Sequence, residues 1–161
     1  MTIELKKYSF ENFYLPISEY LIADEEKDTL SRRGDDEIPF PETDGNILDA
    51  VIRIIVTCPN IKAPLAIARR LNLDKRELGG ALHILTDQCL DDLLYQYRLR
   101  AMREVLVSTK ISTKVIAKYF GYASLQSMNQ FLSDQTGLTA NEIRKGKSVS
   151  EKVKKLPWWK L

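Results

Sequence analysis

The sequence has one histidine and two cysteines in 161 residues. His83, Cys58 and Cys89 fall outside any metal-ligand spacing, so neither a zinc site nor a cysteine–histidine catalytic pair can be assembled. There is no glycine-rich phosphate loop. No apolar run approaches the roughly 20 residues needed to cross a bilayer. The opening stretch MTIELKKYSFENF lacks the apolar core and small-residue cleavage site of a secretory signal. These absences argue against an enzyme, a cofactor, a metal and a membrane partner. They favour the cytoplasm, with both thiols reduced and buried.

What remains is a chain that is 44% apolar and 29% charged, ordinary for one or two small globular domains. The net charge of +2 conceals a division. Residues 1–46 hold 12 acids and 5 bases, a net of −7. Residues 47–161 hold 10 acids and 19 bases, a net of +9. A basic body suits a nucleic-acid partner. Charge alone fits a solvated surface equally well.

Hydrophobic spacing gives the organisation. Residues 1–23 carry an aromatic cluster, Tyr8, Phe10, Phe13, Tyr14 and Tyr20, suited to a short element that docks on the body. Residues 24–46 hold nine acids with two prolines and two glycines. They read as a loop or disordered linker with little apolar surface to offset ordering entropy. From Ile47 the period is helical, with Ile47, Leu48, Val51, Ile52, Ile54 and Ile55 on a buried face and Asp44 or Asn46 as cap. Pro64 opens a second helix and Asp74 caps a third. A long helix runs from about Asp91 to Ser108 on the stripe Leu93, Leu94, Tyr97, Ala101, Val105 and Leu106, with Arg98, Arg100 and Arg103 on other faces. Further helices follow from Ser112, Ser124 and Thr139. No alternating pattern interrupts the body, so the expected class is all-α.

One unit occurs twice. Ile67-Ala68-x-x-Leu71-Asn72-Leu73 matches Ile116-Ala117-x-x-Phe120-Gly121-Tyr122, 49 residues on. Leu78, Leu82 and Thr86 match Met128, Leu132 and Thr136, 50 residues on. Short helix, tight turn and second helix make a helix-turn-helix. Ala68 and Ala117 stand where the helices cross. Asn72 and Gly121 stand where the turn needs a left-handed backbone.

At these residues the chain resembles the DNA-binding domain of the AraC/XylS family of bacterial transcription regulators. The segment Ile111–Tyr122, its continuation Gln135–Arg144, and the linker Tyr97-Arg98-Leu99-Arg100-Ala101 with Glu104-Val105-Leu106 carry the likeness, which spans residues 63–145. The resemblance implies two helix-turn-helix subdomains joined by a long linker helix. It implies two recognition helices entering successive major-groove segments of double-stranded DNA. The expected division is 1–46 as an acidic extension, disordered in part or docking, 47–108 as the first subdomain plus linker, 109–146 as the second, and 147–161 as a basic, Trp-containing tail. The extension is too short for a sugar-binding barrel, so the chain is similar to the family's stand-alone type, with a monomer favoured.

Matching to the family motif gives the base-facing positions as Arg76, Gly79 and Gly80 in the first unit and Leu125, Gln126, Asn129 and Gln130 in the second. Arginine pairs with guanine O6 and N7, and Asn or Gln amides pair with adenine N6 and N7. Gly79 and Gly80 depart from the family, which places longer polar side chains there. Either the backbone approaches DNA closely or the first unit has lost base reading, and the second reading is favoured. Ser133 and Asp134 also depart from a usually basic site. Phosphate contacts are expected from Lys75, His83, Ser112, Lys114, Lys118, Ser124, Arg144 and Lys145, with Arg69, Arg70 and Lys110 as further cations. RNA polymerase or another regulator is a further candidate partner. The alternative function is a protein-interaction module, an anti-activator or co-regulator, on the same fold. The acidic extension can fold back on the basic surface and inhibit it, contact a partner, or do nothing.

Overall fold

A computed structural model describes residues 7–42 and 46–146. The expected cap Asp44 and the Trp-containing tail at 147–161 lie outside the described residues. The elements run α1 (Phe10–Phe13), β1 (Leu21–Asp24), β2 (Thr29–Arg32), α2 (Asn46–Thr57), α3 (Pro64–Arg70), α4 (Lys75–Thr86), α5 (Leu90–Ser108), α6 (Thr113–Tyr119), α7 (Leu125–Thr136) and α8 (Ala140–Arg144). Short 3-10 turns occupy Ile17–Glu19 and Asp35–Glu37. The body is all-helical, and the two strands are a small addition before it.

The two units fold alike because their sequences present the same sizes at the same places. Each first helix has seven residues and each second helix twelve. Ala68 and Ala117 are buried at the crossings. Asn72 and Gly121 take φ of 55° and 84°, the left-handed turn a small or amide residue tolerates. The turn closes identically: Leu73 N–H donates to Ala68 O, and Tyr122 N–H to Ala117 O, both at 2.9 Å. Each second helix ends alike too. Thr86 donates to Leu82 O at 2.8 Å and Thr136 to Leu132 O at 2.7 Å. The left-handed residues Asp87 and Gly137 follow.

Caps set the starts. The Asp74 carboxylate accepts from Arg76 N–H at 2.8 Å, Ser112 Oγ from Val115 N–H, and Ser124 Oγ from Ser127 N–H at 3.1 Å. Thr139 and Glu142 close a reciprocal capping box at α8. The helix α5, about 28 Å long, buries Leu93, Leu94, Tyr97, Ala101, Val105 and Leu106.

Arg98 is the exception on that helix. The amphipathic pattern places it on another face, yet it is only 3% exposed. Its guanidinium donates to Pro59 O at 2.5 Å, Ile61 O at 3.0 Å and Phe120 O at 2.6 Å. Three carbonyls in two irregular segments have no helical partner, and the planar donor fork satisfies all of them. One segment leads into the first unit and the other is the turn of the second. The turn also presses on Asn60: a Cβ at Gly121 would sit 2.6 Å from Asn60 Cα.

The N-terminal segment is built onto this body. Phe10, Phe13 and Tyr14 pack as an aromatic cluster, and Phe10 and Tyr14 reach the ring of Tyr97. Leu15 N–H donates to the Tyr97 hydroxyl at 2.8 Å, and Ile17 N–H to the Glu104 carboxylate at 3.0 Å. Arg100 pairs with Glu11 at 2.5 Å. Part of the expected loop over 24–46 is instead ordered. The strands pair antiparallel, from Leu21 opposite Arg32 to Asp24 opposite Thr29, and β2 lies on α6. Ile38 is buried, Leu30 is packed on the core, and Phe40 lies under Arg53 at 4.0 Å. A few anchored apolar side chains hold a segment whose average composition is acidic.

Replacing Arg98 with Met should leave its three carbonyls unpaired and lower stability by about 3 kcal/mol or more. Gly121→Ala should cost about 2 kcal/mol through backbone strain and the Asn60 contact. Urea unfolding midpoints at constant m-value check both.

Candidate nucleic-acid interface

In the second unit, α7 starts at the Ser124 cap, so the first turn presents Gln126 and Ser127 to solvent while Met128 and Leu132 enter the core. Leu125 is half-buried against that core. Gln126 and Gln130 are exposed. The Gln130 amide donates to Asp134 at 3.0 Å. Asn129 is placed differently from its expected role. Its Oδ1 accepts from Ala140 N–H at 2.8 Å and helps start α8. A bidentate adenine contact needs both the amide donor and the acceptor, and at Asn129 the acceptor is already engaged.

In the first unit, α4 shows Lys75, Arg76, Gly80 and His83 to solvent, with Gly79 half-buried. Lys75 Nζ stands 3.7 Å from Asp91. A depression of about 820 Å³ lies between the starts of α4 and α5, where Asp74, Glu77 and Asp91 flank Lys75 and Arg76. Carboxylates there oppose a phosphate backbone. A Cβ at Gly79 or Gly80 would meet nothing within 4 Å. Intramolecular packing therefore places no demand for glycine at either position.

The expected phosphate contacts divide. Lys114, Lys118 and Lys145 are exposed, as are Arg69, Arg70 and Lys110. Ser124 is exposed at the α7 start. Arg144 serves another purpose: it donates to Leu106 O at 2.9 Å and Ile111 O at 2.5 Å, bolting α8 to the end of the linker helix. At Ser112 the backbone N–H already meets an anion from this chain, the Asp28 carboxylate at 2.7 Å. That hydrogen bond, with the charge of Arg144 adding to it, holds the Asp28 carboxyl below the usual carboxylate range. Nearby, Lys110 N–H donates to Glu25 at 3.0 Å. The acids of residues 24–28 are visible in the sequence, but their target is not.

Comparison with solved structures gives two matches. The C-terminal domain of AraT, a response regulator from Geobacillus stearothermophilus, is 20% identical with a TM-score of 0.53, over 69% of this chain and 93% of that one. The xylose-binding transcription activator XylR is 19% identical with a TM-score of 0.52, over 74% of this chain and 31% of that one. No protein-family model matches the chain, and no curated protein matches it by sequence. The likeness to both structures lies in the fold, the one that the sequence resemblance implies.

Within this fold, α4 and α7 are the second helices of their helix-turn-helix units. No helix among the described residues is long and apolar enough to cross a membrane. Cys89 differs from the expectation of a buried thiol. It is exposed at the N-cap of α5, one residue before the buried face of that helix begins at Leu90, and Cys58 is half-buried.

Because both glycines of α4 sit in open space within a helix, Gly79→Ala and Gly80→Ala should each raise stability by about 1 kcal/mol. A higher urea midpoint for the double variant is the expected result.

Proposed function

We propose that this protein is a sequence-specific, double-stranded DNA-binding transcription regulator of the bacterial cytoplasm, without catalytic activity. The observation that carries the reading is the duplicated helix-turn-helix on one stiff linker, in the AraC-type fold. Helix α7 is the principal reader. Gln126 is exposed in its first turn, with both amide functions available for adenine N6 and N7. Leu125 adds an apolar contact for a thymine methyl. Gln130 joins by exchanging Asp134 for a base edge. Asn129 positions α8 and supplies at most its amide donor.

Helix α4 is assigned the weaker role in an adjacent groove segment. Its bare Gly79–Gly80 face offers base edges no side chain, which leaves Arg76 to contact the DNA backbone at a strength that the surrounding carboxylates reduce. The exposed lysines and arginines of both units supply the sequence-independent attraction. The same acidic surround favours a second reading, in which the first unit meets another protein and the chain is a co-regulator. RNA polymerase and other regulators are the candidate partners.

Selection from randomised duplexes tests the function. The expected result is a defined motif whose A·T-containing half depends on Gln126. On that motif Gln126→Ala should lose about 1–3 kcal/mol of base discrimination. Arg76→Ala should weaken binding evenly across sequences and lower its salt dependence by about one phosphate contact. No retention of any duplex at low salt overturns the DNA reading in favour of the protein-interaction module.

A further inference from the structure

The N-terminal hairpin brings three carboxylates, Glu25, Glu26 and Asp28, into its connecting turn, with Asp24 at the end of β1 and Lys27 as the one cation among them. That turn lies against the segment leading into α6. Glu25 accepts from Lys110 N–H at 3.0 Å and Asp28 accepts from Ser112 N–H at 2.7 Å. Asp28 reaches it from a left-handed backbone, φ 52°, which an L residue adopts at a cost unless the surroundings hold it. Strand β2 packs along α6, so the turn is held in place by more than these two hydrogen bonds.

The position matters because α6 is the first helix of the second unit. In a helix-turn-helix the first helix crosses the DNA backbone while the second enters the groove. The lead-in carries Lys110, and α6 carries Lys114 and Lys118, all exposed. The acidic turn therefore sits at the backbone of Lys110 and at the start of the helix that carries Lys114 and Lys118.

We infer that the acidic turn of this hairpin is a built-in electrostatic brake on DNA binding by the second helix-turn-helix. The inference rests on the proposed DNA-binding function. Carboxylates at the lead-in to α6 repel the phosphate backbone and compete for its cations.

The test keeps the hairpin and removes only its charge. In the full chain, the triple variant Glu25→Gln, Glu26→Gln and Asp28→Asn retains acceptor oxygens for Lys110 and Ser112 N–H. Asparagine also tolerates the left-handed backbone at 28. Affinity for the selected duplex, or for a mixed-sequence duplex if none is selected, is measured against salt for both proteins. Unfolding midpoints are measured alongside. The expected result is about tenfold tighter binding at low ionic strength, a gap that narrows as salt screens it, and a steeper salt dependence in the variant. Binding by the variant where the parent binds none supports the brake equally. Equal affinities at every salt concentration, or weaker binding by a variant that unfolds normally, overturn the brake and leave the DNA reading intact. Failure of both proteins to bind overturns both.

Discussion

One buried guanidinium governs the geometry of this molecule. Arg98 projects from the middle of the linker helix and spends its hydrogen bonds on three carbonyls from two different units. Alone, two small helix-turn-helix units on one helix could rock about it. The shared donor removes that freedom, because any tilt would strand a carbonyl in the interior. The close approach of the Gly121 turn to Asn60 reinforces it sterically. Phe120 and Tyr122 border the cation, with ring centroids 5.8 and 5.5 Å from its central carbon. The second helices of the two units are thereby held at a fixed mutual angle, and this cluster supplies the fixity.

The two units share a backbone and diverge at their surfaces. Equal helix lengths, equal turn closures and equal threonine caps give the same scaffold twice. The second helices then differ in what they show. Helix α7 shows amides, with Asp134 as the one charge on the helix. Helix α4 shows bare glycine flanked by charges of both signs. Duplication fixes the scaffold through its core positions and leaves exposed positions free to differ, since surface substitutions disturb stability little.

Much of this was legible from residue spacing. The helix order, the repeat and the caps at Asp74, Ser112, Ser124 and Thr139 follow from local rules, and each acts within a few residues of itself. The unread parts are all long-range. Arg98 looks like a surface cation on a helical wheel, because its partners lie 22 to 39 residues away. Arg144 and Asn129 look like DNA contacts, but carbonyls and an amide from neighbouring elements claim them. The hairpin was hidden for a compositional reason. Nine acids in 24–46 dominate the average, while order there depends on a few apolar side chains such as Leu30 and Ile38 that reach the core.

The same distribution decides how the N-terminal segment can act. Phe13 is 1% exposed and Tyr20 4%, and the Tyr97 hydroxyl and the Glu104 carboxylate each hold one of its backbone N–H groups. Burying several aromatic rings stabilises by about 2 kcal/mol or more apiece. A segment so attached does not peel away to free a covered surface, and cutting it off would strip the linker helix of its core partners. The acids of its hairpin turn, Glu25, Glu26 and Asp28, are another matter, since they contribute charge and two hydrogen bonds rather than apolar packing. Any influence of this segment on an anionic partner therefore works through field strength with the fold intact. That makes it graded with ionic strength rather than all-or-none.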